Sequence, residues 1–346
     1  MTSRLALAFA LAAALPAAAA EPVVIGVRTD ARPFAWQADD SAGTFRGYLV
    51  DMCADAATRA GYHFDQVPVS ANQRAAVLDG KFEVDGLPLD VLCDPTTISL
   101  ARLDRLGATA TFSPIVFVAN GSFVKHGAFE NRQPCRIGAT DETRPACTLV
   151  PAPTAKDAEA TKVAAPAGLD CAPKLAADGS YFVAARVVGT TAEDTLARAQ
   201  RLKQLALKPG ESLCTVVVAD HRDGVRRFCA NAFHYYFGDI DIIEAYRDLT
   251  VEEGRSCDLA RSDRPLSYEP YALLVTSEDA LFRARFTAAV YEMFSDGTAA
   301  GIFDAYFPDH AKSTALDMLF RINSIPGLRP RDPARPAADL RASRTP

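Results

Sequence analysis

The chain alternates short apolar runs with amphipathic segments, and this alternation predicts strands and helices in turn. Apolar runs at 21–27 and 91–93 are typical of buried strands, and residues 64–69 are predicted to form a further strand, whereas residues 50–60 and 72–78 carry apolar positions at helical spacing. Strands and helices that follow one another in this way indicate an α/β domain with a mainly parallel sheet. Ligands of such sheets bind beyond the carboxyl ends of the strands, so we expect the functional side chains there.

The second half of the chain repeats this alternation after an interruption. Residues 112–118 and 266–275 are extended apolar segments, which predict two connectors between two domains. From about 125 to 180 the chain is rich in Pro, Ala, Thr and charged residues and holds three cysteines, which predicts a long surface insertion pinned by disulfides. Strands and helices are predicted again from 182 to 322.

Residues Asp90–Arg102 hold the groups that best fit anion binding. We predict a strand that ends at a turn opened by Asp94-Pro95, followed by a helix capped by hydroxyl residues. The free N–H groups of a helix start attract negative charge, and Arg102 adds a guanidinium that can hold a carboxylate through two hydrogen bonds. The alternative interpretation is a capped helix with a solvated arginine.

A second helix start is predicted at Gly189–Asp194. Thr190 or Thr191 would be the N-cap, with Glu193 or Asp194 completing a capping box. Two other features have two interpretations each. Asp239 opens a later helix, where an acid usually does no more than complement the helix dipole. Phe34 and Trp36 follow the first strand and either form a platform for a ligand or fill the core.

Composition and charge restrict the class of function. Residues 1–20 hold Arg4, an apolar run and a small-residue end, which predict a secretory signal peptide cleaved before Glu21. Removing it changes the formal net charge from -6 to -7, because Arg4 is its one charged residue. An acidic exported protein is a poor partner for nucleic acid. Residues 326–346 are rich in Pro and Arg and are predicted to be a disordered tail.

The cysteines and histidines argue for disulfides and against a metal site. The chain has eight cysteines and no C-x-x-C pair, and in an exported protein this number predicts disulfides. Five scattered histidines lack the spacing of metal ligands. We expect no metal and no cofactor. A pairing of Cys53 with Cys93 and one of Cys229 with Cys257 are plausible within their domains, and the insertion cysteines would pair with one another or with Cys214.

Seven segments in this order resemble the family 3 extracellular solute-binding proteins, the periplasmic components of amino-acid ABC importers. The segments are the strand before Pro33-Phe34, Arg46–Asp51, Asp90–Arg102, Phe112–Pro114, Gly189–Glu193, Phe237–Asp239 and Leu266–Tyr271. The resemblance runs from about residue 23 to 319 and is interrupted by the insertion.

The resemblance implies a two-lobed periplasmic binding protein type II fold, in which each lobe is a mainly parallel sheet flanked by helices and two crossover strands join the lobes. The first lobe would comprise residues 21–115 and 267–325, and the second residues 116–266. The ligand would lie in the cleft between them, and the lobes would close over it. The implied partners are a small-molecule ligand and a membrane permease, and the protein would be a periplasmic monomer.

The resemblance also implies a set of ligand-binding residues, carried over position by position. Thr97 and Arg102 would hold the α-carboxylate of an amino acid, helped by the helix start at Thr190 and Thr191, and Asp239 would hold the α-amine. Asp30 and Phe34 would line the side-chain pocket. Two positions depart from the family pattern: Asp94 stands where a small residue is usual, so it would repel an anionic ligand or favour a cationic one, and Arg32 lies in a shortened loop from which it can reach the cleft.

Three functions follow from this resemblance. The first is capture of an amino acid or related carboxylate for an ABC importer, without enzymatic activity. The second is a ligand-sensing or accessory protein of the periplasm. The third is an enzyme similar to the exported cyclohexadienyl dehydratases, which needs a buried acid of raised pKa, for which Asp94, Asp30 or Glu269 are candidates.

Overall fold

A computed structural model describes most of the chain outside the insertion and the two ends. It describes residues 22–38, 43–106, 110–127, 180–205, 207–209, 211–262, 264–308 and 311–326, and the short strands at 135–136, 146–147, 163–164 and 170–172. The predicted signal peptide at 1–20, most of the insertion at 125–180 and all but the first residue of the predicted tail lie outside the described residues.

The described elements follow the predicted alternation. The strands are β1 (Val23–Arg28), β2 (Asp30–Ala31), β3 (Ala35–Gln37), β4 (Phe45–Arg46), β5 (Phe64–Val69), β6 (Glu83–Val84), β7 (Leu87–Pro88), β8 (Val91–Thr97), β9 (Thr111–Lys125), β10 (Cys135–Arg136), β11 (Ala146–Cys147), β12 (Val163–Ala164), β13 (Asp170–Ala172), β14 (Ser180–Val187), β15 (Glu211–Val218), β16 (Tyr235–Asp239), β17 (Ala260–Arg261) and β18 (Ser267–Val275). The helices are α1 (Tyr48–Ala60), α2 (Ala71–Leu78), α3 (Leu100–Leu106), α4 (Ala192–Arg201), α5 (His221–Cys229), α6 (Ile240–Glu252), α7 (Ala280–Ser295), α8 (Thr298–Tyr306) and α9 (Thr314–Asn323).

One sheet runs through both halves of the molecule in the order β13-β15-β14-β16-β9-β18-β8-β1-β5. The long strands β9 and β18 lie side by side at its centre and pair antiparallel along their length. On one side β1 pairs parallel with β5 and β8, and on the other β14 pairs parallel with β15 and β16. We call the half with β1, β5 and β8 the first lobe and the half with β14, β15 and β16 the second lobe.

This topology confirms the predicted fold class, a two-lobed α/β protein with two crossover strands. Helices α7 and α8 pack against α1, so the C-terminal helices return to the first lobe after the chain has crossed to the second. The residue boundaries given above for the lobes stay a prediction. In the part of the chain that the structure describes, no helix is both long and apolar enough to cross a membrane.

Helix α1 illustrates how the sequence pattern determines an element. Its apolar positions form one buried face, and Gly61 ends the helix in the left-handed conformation with φ of 89°. The N–H of Gly61 reaches the carbonyl of Thr58 at 3.0 Å, which satisfies a carbonyl that the helix leaves open. The predicted stop at Gly61 is therefore confirmed.

Strand β8 differs from its prediction at the point that matters for the site. The predicted turn at Asp94-Pro95 is wrong, because the strand continues to Thr97 and α3 begins at Leu100. Proline is tolerated inside β8 because the strand pairs with β1 only over Val91–Cys93, and the register against β18 shifts beside it. The missing N–H of Pro95 therefore removes no ladder hydrogen bond with β1.

Both disulfides proposed within single lobes are present. Cys53 of α1 is bonded to Cys93 of β8, with 6.3 Å between their Cα atoms, and Cys229 is bonded to Cys257, with 4.6 Å. Cys214 is disulfide-bonded as well, and Cys171 stands opposite it in the register of β13 and β15. The first bridge ties a helix to the strand that carries Asp94.

Replacing Cys53 and Cys93 together by alanine is expected to lower the free energy of unfolding by about 2–4 kcal/mol, because the bridge closes a long loop in the unfolded chain. The two residues are separated by 40 positions and both are fully buried. Urea unfolding under non-reducing conditions measures the loss. The Cys229–Cys257 bridge spans 28 positions and is the matched comparison. A double alanine variant as stable as the parent protein would show that the bridge does not stabilise the first lobe.

Candidate functional site

A small cavity lies between the two lobes, and we call it the inner cavity. Its volume is about 20 Å³, which is room for roughly one water molecule. Several lining residues end a strand or follow one closely: Arg28, Thr97, Thr190, Thr191, His221 and Asp239. This is the position at which open α/β sheets bind ligands. Asp94 lines the cavity from the middle of β8.

Arg102 of α3 is a buried cation beside the inner cavity. Its side-chain hydrogen bonds go to backbone oxygens, to Thr97 O at 2.6 Å and to Gly189 O of the second lobe at 3.4 Å. Among the described residues it makes no ion pair with a carboxylate. Burial, together with the charge of Arg74, lowers the pKa of Arg102 to about 10, so the guanidinium remains charged at neutral pH.

Asp239 of β16 is a half-buried carboxyl group that lines the same cavity. The hydroxyl of Tyr271 donates a hydrogen bond to its Oδ2. Burial, and next the charge of Glu269, raise the pKa of Asp239 to about 7. No ion pair joins Asp239 to an Arg or Lys of the described residues. The charge of Asp239 favours the charged form of the Arg102 guanidinium, but the two groups do not form a salt bridge.

Asp94 is paired with cations. It is fully buried, and it accepts hydrogen bonds from Arg74 Nε at 2.5 Å, from Thr96 Oγ1 at 2.6 Å and from Arg28 Nη1 at 3.4 Å. Burial acts to raise the pKa of Asp94, but the charges of Arg74 and Arg28 outweigh it and hold that pKa below its usual value. The sequence led to the hypothesis that Asp94 repels or attracts a charged ligand. In the structure its negative charge is instead balanced by Arg28 and Arg74.

Arg28 and Asp30 complete a neutral set of four buried ionic groups. The Arg28 guanidinium pairs with both oxygens of Asp30 as well as with Asp94. Burial opposes ionisation of Asp30, yet the charge and hydrogen bonds of Arg28 keep its pKa below the usual value. With Arg74, the set holds two guanidinium groups and two carboxylates. Arg102 and Asp239 stand outside it.

Hydrogen bonds join the two lobes directly at this site. The carbonyl of Gly189 accepts from Arg74 Nη1 at 2.6 Å, and the backbone N–H of His221 donates to Asp30 Oδ2 at 2.9 Å. Gly189 has a φ of +67°, and a Cβ placed there would lie 3.0 Å from the Cβ of Ala75. A side chain at this position would therefore be strained and would crowd Ala75 of the first lobe.

The helix start at Thr190 and Thr191 differs from its prediction. Thr191 is the N-cap of α4 but makes no side-chain capping bond, so the predicted capping box with Glu193 or Asp194 is wrong. Thr190 Oγ1 instead donates to Val187 O at 2.9 Å. A capping box is present at the start of α2, between Ser70 and Gln73, where none was predicted. The first N–H groups of α4 thus have no capping side chain.

The structure brings most of the predicted ligand residues together. Thr97, Thr190, Thr191 and Asp239 line the inner cavity, and Arg102 adjoins it through its bond to Thr97 O. Their ligand contacts stay a prediction. Phe34 is fully buried in the first lobe and does not line the inner cavity, because its ring packs edge-on against Phe117 and Tyr271, with centroids 4.7 and 5.2 Å away.

Three residues of the site were missed by the sequence analysis. Arg28 ends β1 and Arg74 lies inside α2, so both resemble ordinary surface arginines in the sequence. His221 follows β15, and burial lowers its pKa to about 4, so it is neutral at pH 7. The position of Arg28 and His221 at the carboxyl ends of parallel strands was a usable signal. Nothing in the sequence around Arg74 distinguishes it.

A larger cavity, which we call the outer cavity, lies beside the inner one and also borders both lobes. Its volume is about 600 Å³. The segment from β1 to β3 and the start of α2 form the first-lobe wall, and the start of α5 and one face of α6 form the other. Asp30 lines the outer cavity, whereas its partner Arg28 lines the inner one.

Comparisons with solved structures show a common fold at low sequence identity. The arginine-, lysine-, histidine-binding protein ArtJ from Geobacillus stearothermophilus has a TM-score of 0.55 and 16% identity, covering 86% of this chain and 99% of ArtJ. A histidine kinase sensor domain with similarity to periplasmic binding proteins has a TM-score of 0.52 and 16% identity, covering 82% of this chain and 95% of the sensor domain. The ancestral amino acid-binding protein AncCDT-1, a precursor of cyclohexadienyl dehydratase, has a TM-score of 0.51 and 13% identity, covering 83% of this chain and 95% of AncCDT-1.

A search of curated proteins finds no relative of this chain. A family model does match it, over residues 23–309, which is most of the sequence. The match spans both lobes, the two crossover strands and the residues of the inner cavity, in agreement with the sheet order described above. The chain belongs to the bacterial extracellular solute-binding proteins, family 3.

Proposed function

We propose that this protein captures an amino acid or related carboxylate between its lobes in the periplasm and delivers it to the permease of an ABC importer. Arg102 and Thr97, with the start of α4 at Thr190 and Thr191, hold the carboxylate. Asp239 holds the amine on the opposite side. The protein acts as a monomer, and its signal peptide directs export.

One observation carries the proposal. Asp239 is half-buried and lines the inner cavity, Arg102 is buried and adjoins it through its bond to Thr97 O, and neither has an ion-pair partner among the described residues. A buried charge is costly unless it is paired. The two groups do not pair with each other, and a zwitterion supplies one charge of each sign on neighbouring atoms. An amino acid therefore satisfies both groups at once.

The size of the inner cavity implies that the lobes part before such a ligand enters. A space of about 20 Å³ does not hold an amino acid. The contacts of Gly189 O with Arg74 and of His221 N with Asp30 would then form as the lobes close, and they are made by the protein alone. Closure removes water from around the ligand, which strengthens its charge-assisted hydrogen bonds.

A thermal-shift screen of the chain from residue 21 tests the proposal. The probes are the common amino acids, dicarboxylates and polyamines at millimolar concentration. A ligand at 100 times its dissociation constant adds about 2.7 kcal/mol to stability, which raises the unfolding midpoint by a few degrees. We expect one class of amino acids to do so. If polyamines alone raise the midpoint, the carboxylate site is wrong.

The raised pKa of Asp239 predicts how binding depends on pH. Asp239 must be ionised to hold an ammonium group, and its pKa of about 7 means that it binds a proton at lower pH. We expect the affinity for an amino acid to be about tenfold lower at pH 6 than at pH 8. Calorimetry at pH 6 should show release of close to one proton on binding, and Asp239→Asn should abolish that release. Equal affinity at both pH values would contradict the assignment.

The same group affects the stability of the free protein in the opposite direction. Between the ordinary aspartate pKa of 3.8 and a pH of about 7, Asp239 keeps its proton in the folded protein but has lost it in the unfolded chain. The stabilising contribution of this proton is complete at pH values below the ordinary aspartate pKa and is lost as the pH rises through 7. Ligand binding at high pH offsets that loss.

A dehydratase is the second candidate, and the structure changes which acid it would use. The pKa values of Asp94 and Asp30 are lowered, which is unsuitable for a general acid. Asp239 is a half-buried carboxyl of the inner cavity, and its pKa is raised. The assay is incubation with prephenate and detection of its aromatic product. We expect no turnover, and turnover that Asp239→Asn abolishes would favour the enzyme.

A further inference from the structure

The outer cavity is much larger than the inner cavity, where we propose that an amino acid binds. Its volume of about 600 Å³ falls within the roughly 300–1,000 Å³ of sites that bury small organic ligands. Both lobes contribute walls, Arg32 and Trp36 from the first and Tyr246 from the second. A molecule larger than a single amino acid can therefore enter it without the lobes moving apart.

The charged groups of its wall leave one cation available to a ligand. Asp30 accepts from Arg28 and from the N–H of His221, and Asp220 accepts from the N–H of Asp223 as the N-cap of α5. Arg222 pairs with Glu253 at 3.0 Å. The Arg32 guanidinium, in contrast, has no carboxylate partner among the described residues.

Arg32 is held in an orientation that suits anion binding. Its guanidinium lies over the Trp36 ring, 5.2 Å from the ring centroid, and the ring of Trp36 is itself packed edge-on against Tyr306 at 5.9 Å. A guanidinium stacked on an aromatic face keeps the N–H groups along its edge free. These can hold both oxygens of a carboxylate through parallel hydrogen bonds.

Neutral hydrogen-bonding groups accompany this cation. The side-chain amides of Gln37 and Asn72 border the cavity from β3 and from the start of α2, and neither forms a side-chain hydrogen bond within the described part of the protein. Each amide offers both a donor and an acceptor. They favour a ligand that carries hydroxyl or amide groups in addition to its carboxylate.

We infer that the outer cavity is a second ligand site, which binds an organic carboxylate larger than a free amino acid through Arg32. The ligand class is a carboxylate with further hydroxyl or amide groups, such as a sugar acid, an N-acylated amino acid or a dipeptide. This site goes beyond the proposed function, because it uses neither Arg102 nor Asp239. The two sites can therefore be tested separately.

The test is calorimetric titration of the chain from residue 21 with gluconate, N-acetylglutamate and the dipeptide Ala-Gln. Each is compared with the analogue in which every carboxylate is converted to an amide or ester. We expect at least one of the three acids to bind and its amide or ester analogue not to bind. Arg32→Gln should weaken that binding by about tenfold to a hundredfold, the range for a hydrogen bond to a charged group.

Three further variants locate the binding. Arg102→Gln should leave the affinity for the larger acid within about twofold, whereas Arg32→Lys, which keeps the charge but not the planar fork, should cause an intermediate loss. Arg105→Gln is the control, because Arg105 is exposed and pairs with Asp79 away from both cavities. Far-ultraviolet circular dichroism verifies that the variants fold.

Two results would overturn the inference, and both are distinct from a failure of the proposed function. If the Arg102→Gln variant no longer binds the acid and the Arg32→Gln variant still does, the acid occupies the inner site. If none of the three acids binds while an amino acid does, the outer cavity is not a ligand site and the proposed function stands. Binding of a larger acid without binding of any amino acid would support the outer site and contradict the inner one.

Discussion

Replacing Asp94 by alanine is expected to lower the free energy of unfolding by about 3–5 kcal/mol, the largest change in stability that we predict for a single substitution. The carboxylate is fully buried between Arg28 and Arg74, whose side chains are 2% and 3% exposed. Its removal leaves Arg74 without a carboxylate partner and leaves Arg28 with Asp30 alone. Breaking a buried pair costs more than the pair contributes, because the remaining charge stays away from water.

Urea unfolding measures this effect. Asp94→Asn preserves the size of the side chain but not its charge and should be nearly as destabilising as alanine. Asp79→Ala is the control, because Asp79 pairs with Arg105 at the surface and its loss should cost less than about 0.5 kcal/mol. In the background of Arg74→Met, Asp94→Ala should cost less than it does alone. If Asp94→Ala behaves like Asp79→Ala, the buried ionic set does not stabilise the fold.

Replacing Arg102 by glutamine is expected to weaken amino-acid binding by roughly thirtyfold to several thousandfold, the largest change in affinity that we predict. Truncating one partner of a buried, hydrogen-bonded charge pair costs about 2–5 kcal/mol. Arg102 is 8% exposed and uses its side-chain donors on two backbone oxygens only, so other N–H groups remain for a carboxylate. Glutamine retains a donor but neither the charge nor the fork.

Two further variants separate charge from position. Arg102→Lys retains the charge without the planar fork and should bind more tightly than glutamine but more weakly than arginine. Arg105→Gln lies on the same helix and should leave the affinity within about twofold, because Arg105 is exposed and faces Asp79. An Arg102→Gln protein with unchanged affinity would place the carboxylate elsewhere.

The fold was predictable because its signals are local and repeated. Strand β5, and helix α1 with its buried face followed by Gly61, lie in the structure at nearly the predicted residues. The failure at Asp94-Pro95 has a tertiary cause. Proline usually ends a strand, but β8 has no partner on its β1 side beyond Cys93, so the local preference was overridden.

The site was less predictable, because the missing information is about distance. Arg102 and Asp239 were found from motifs at the ends of two segments. Arg28 and Arg74 were not, because what makes them part of the site is their common contact with Asp94, which is 66 and 20 positions away from them. Phe34 follows a strand just as a ligand platform would, and its burial against Phe117 becomes visible only when the crossover strand is in place.

The most direct test of the account is a calorimetric comparison of one bound amino acid with its two halves. The halves are the corresponding acid without the amine and the corresponding amine without the carboxylate. If Arg102 and Asp239 hold the two charges of a zwitterion, each half should bind at least about tenfold more weakly than the amino acid. In Asp239→Asn, the amino acid should bind no more tightly than the acid that lacks the amine. In Arg102→Gln, it should bind no more tightly than the amine that lacks the carboxylate. If the acid without its amine binds as tightly as the amino acid, Asp239 does not hold an amine and the central claim is wrong.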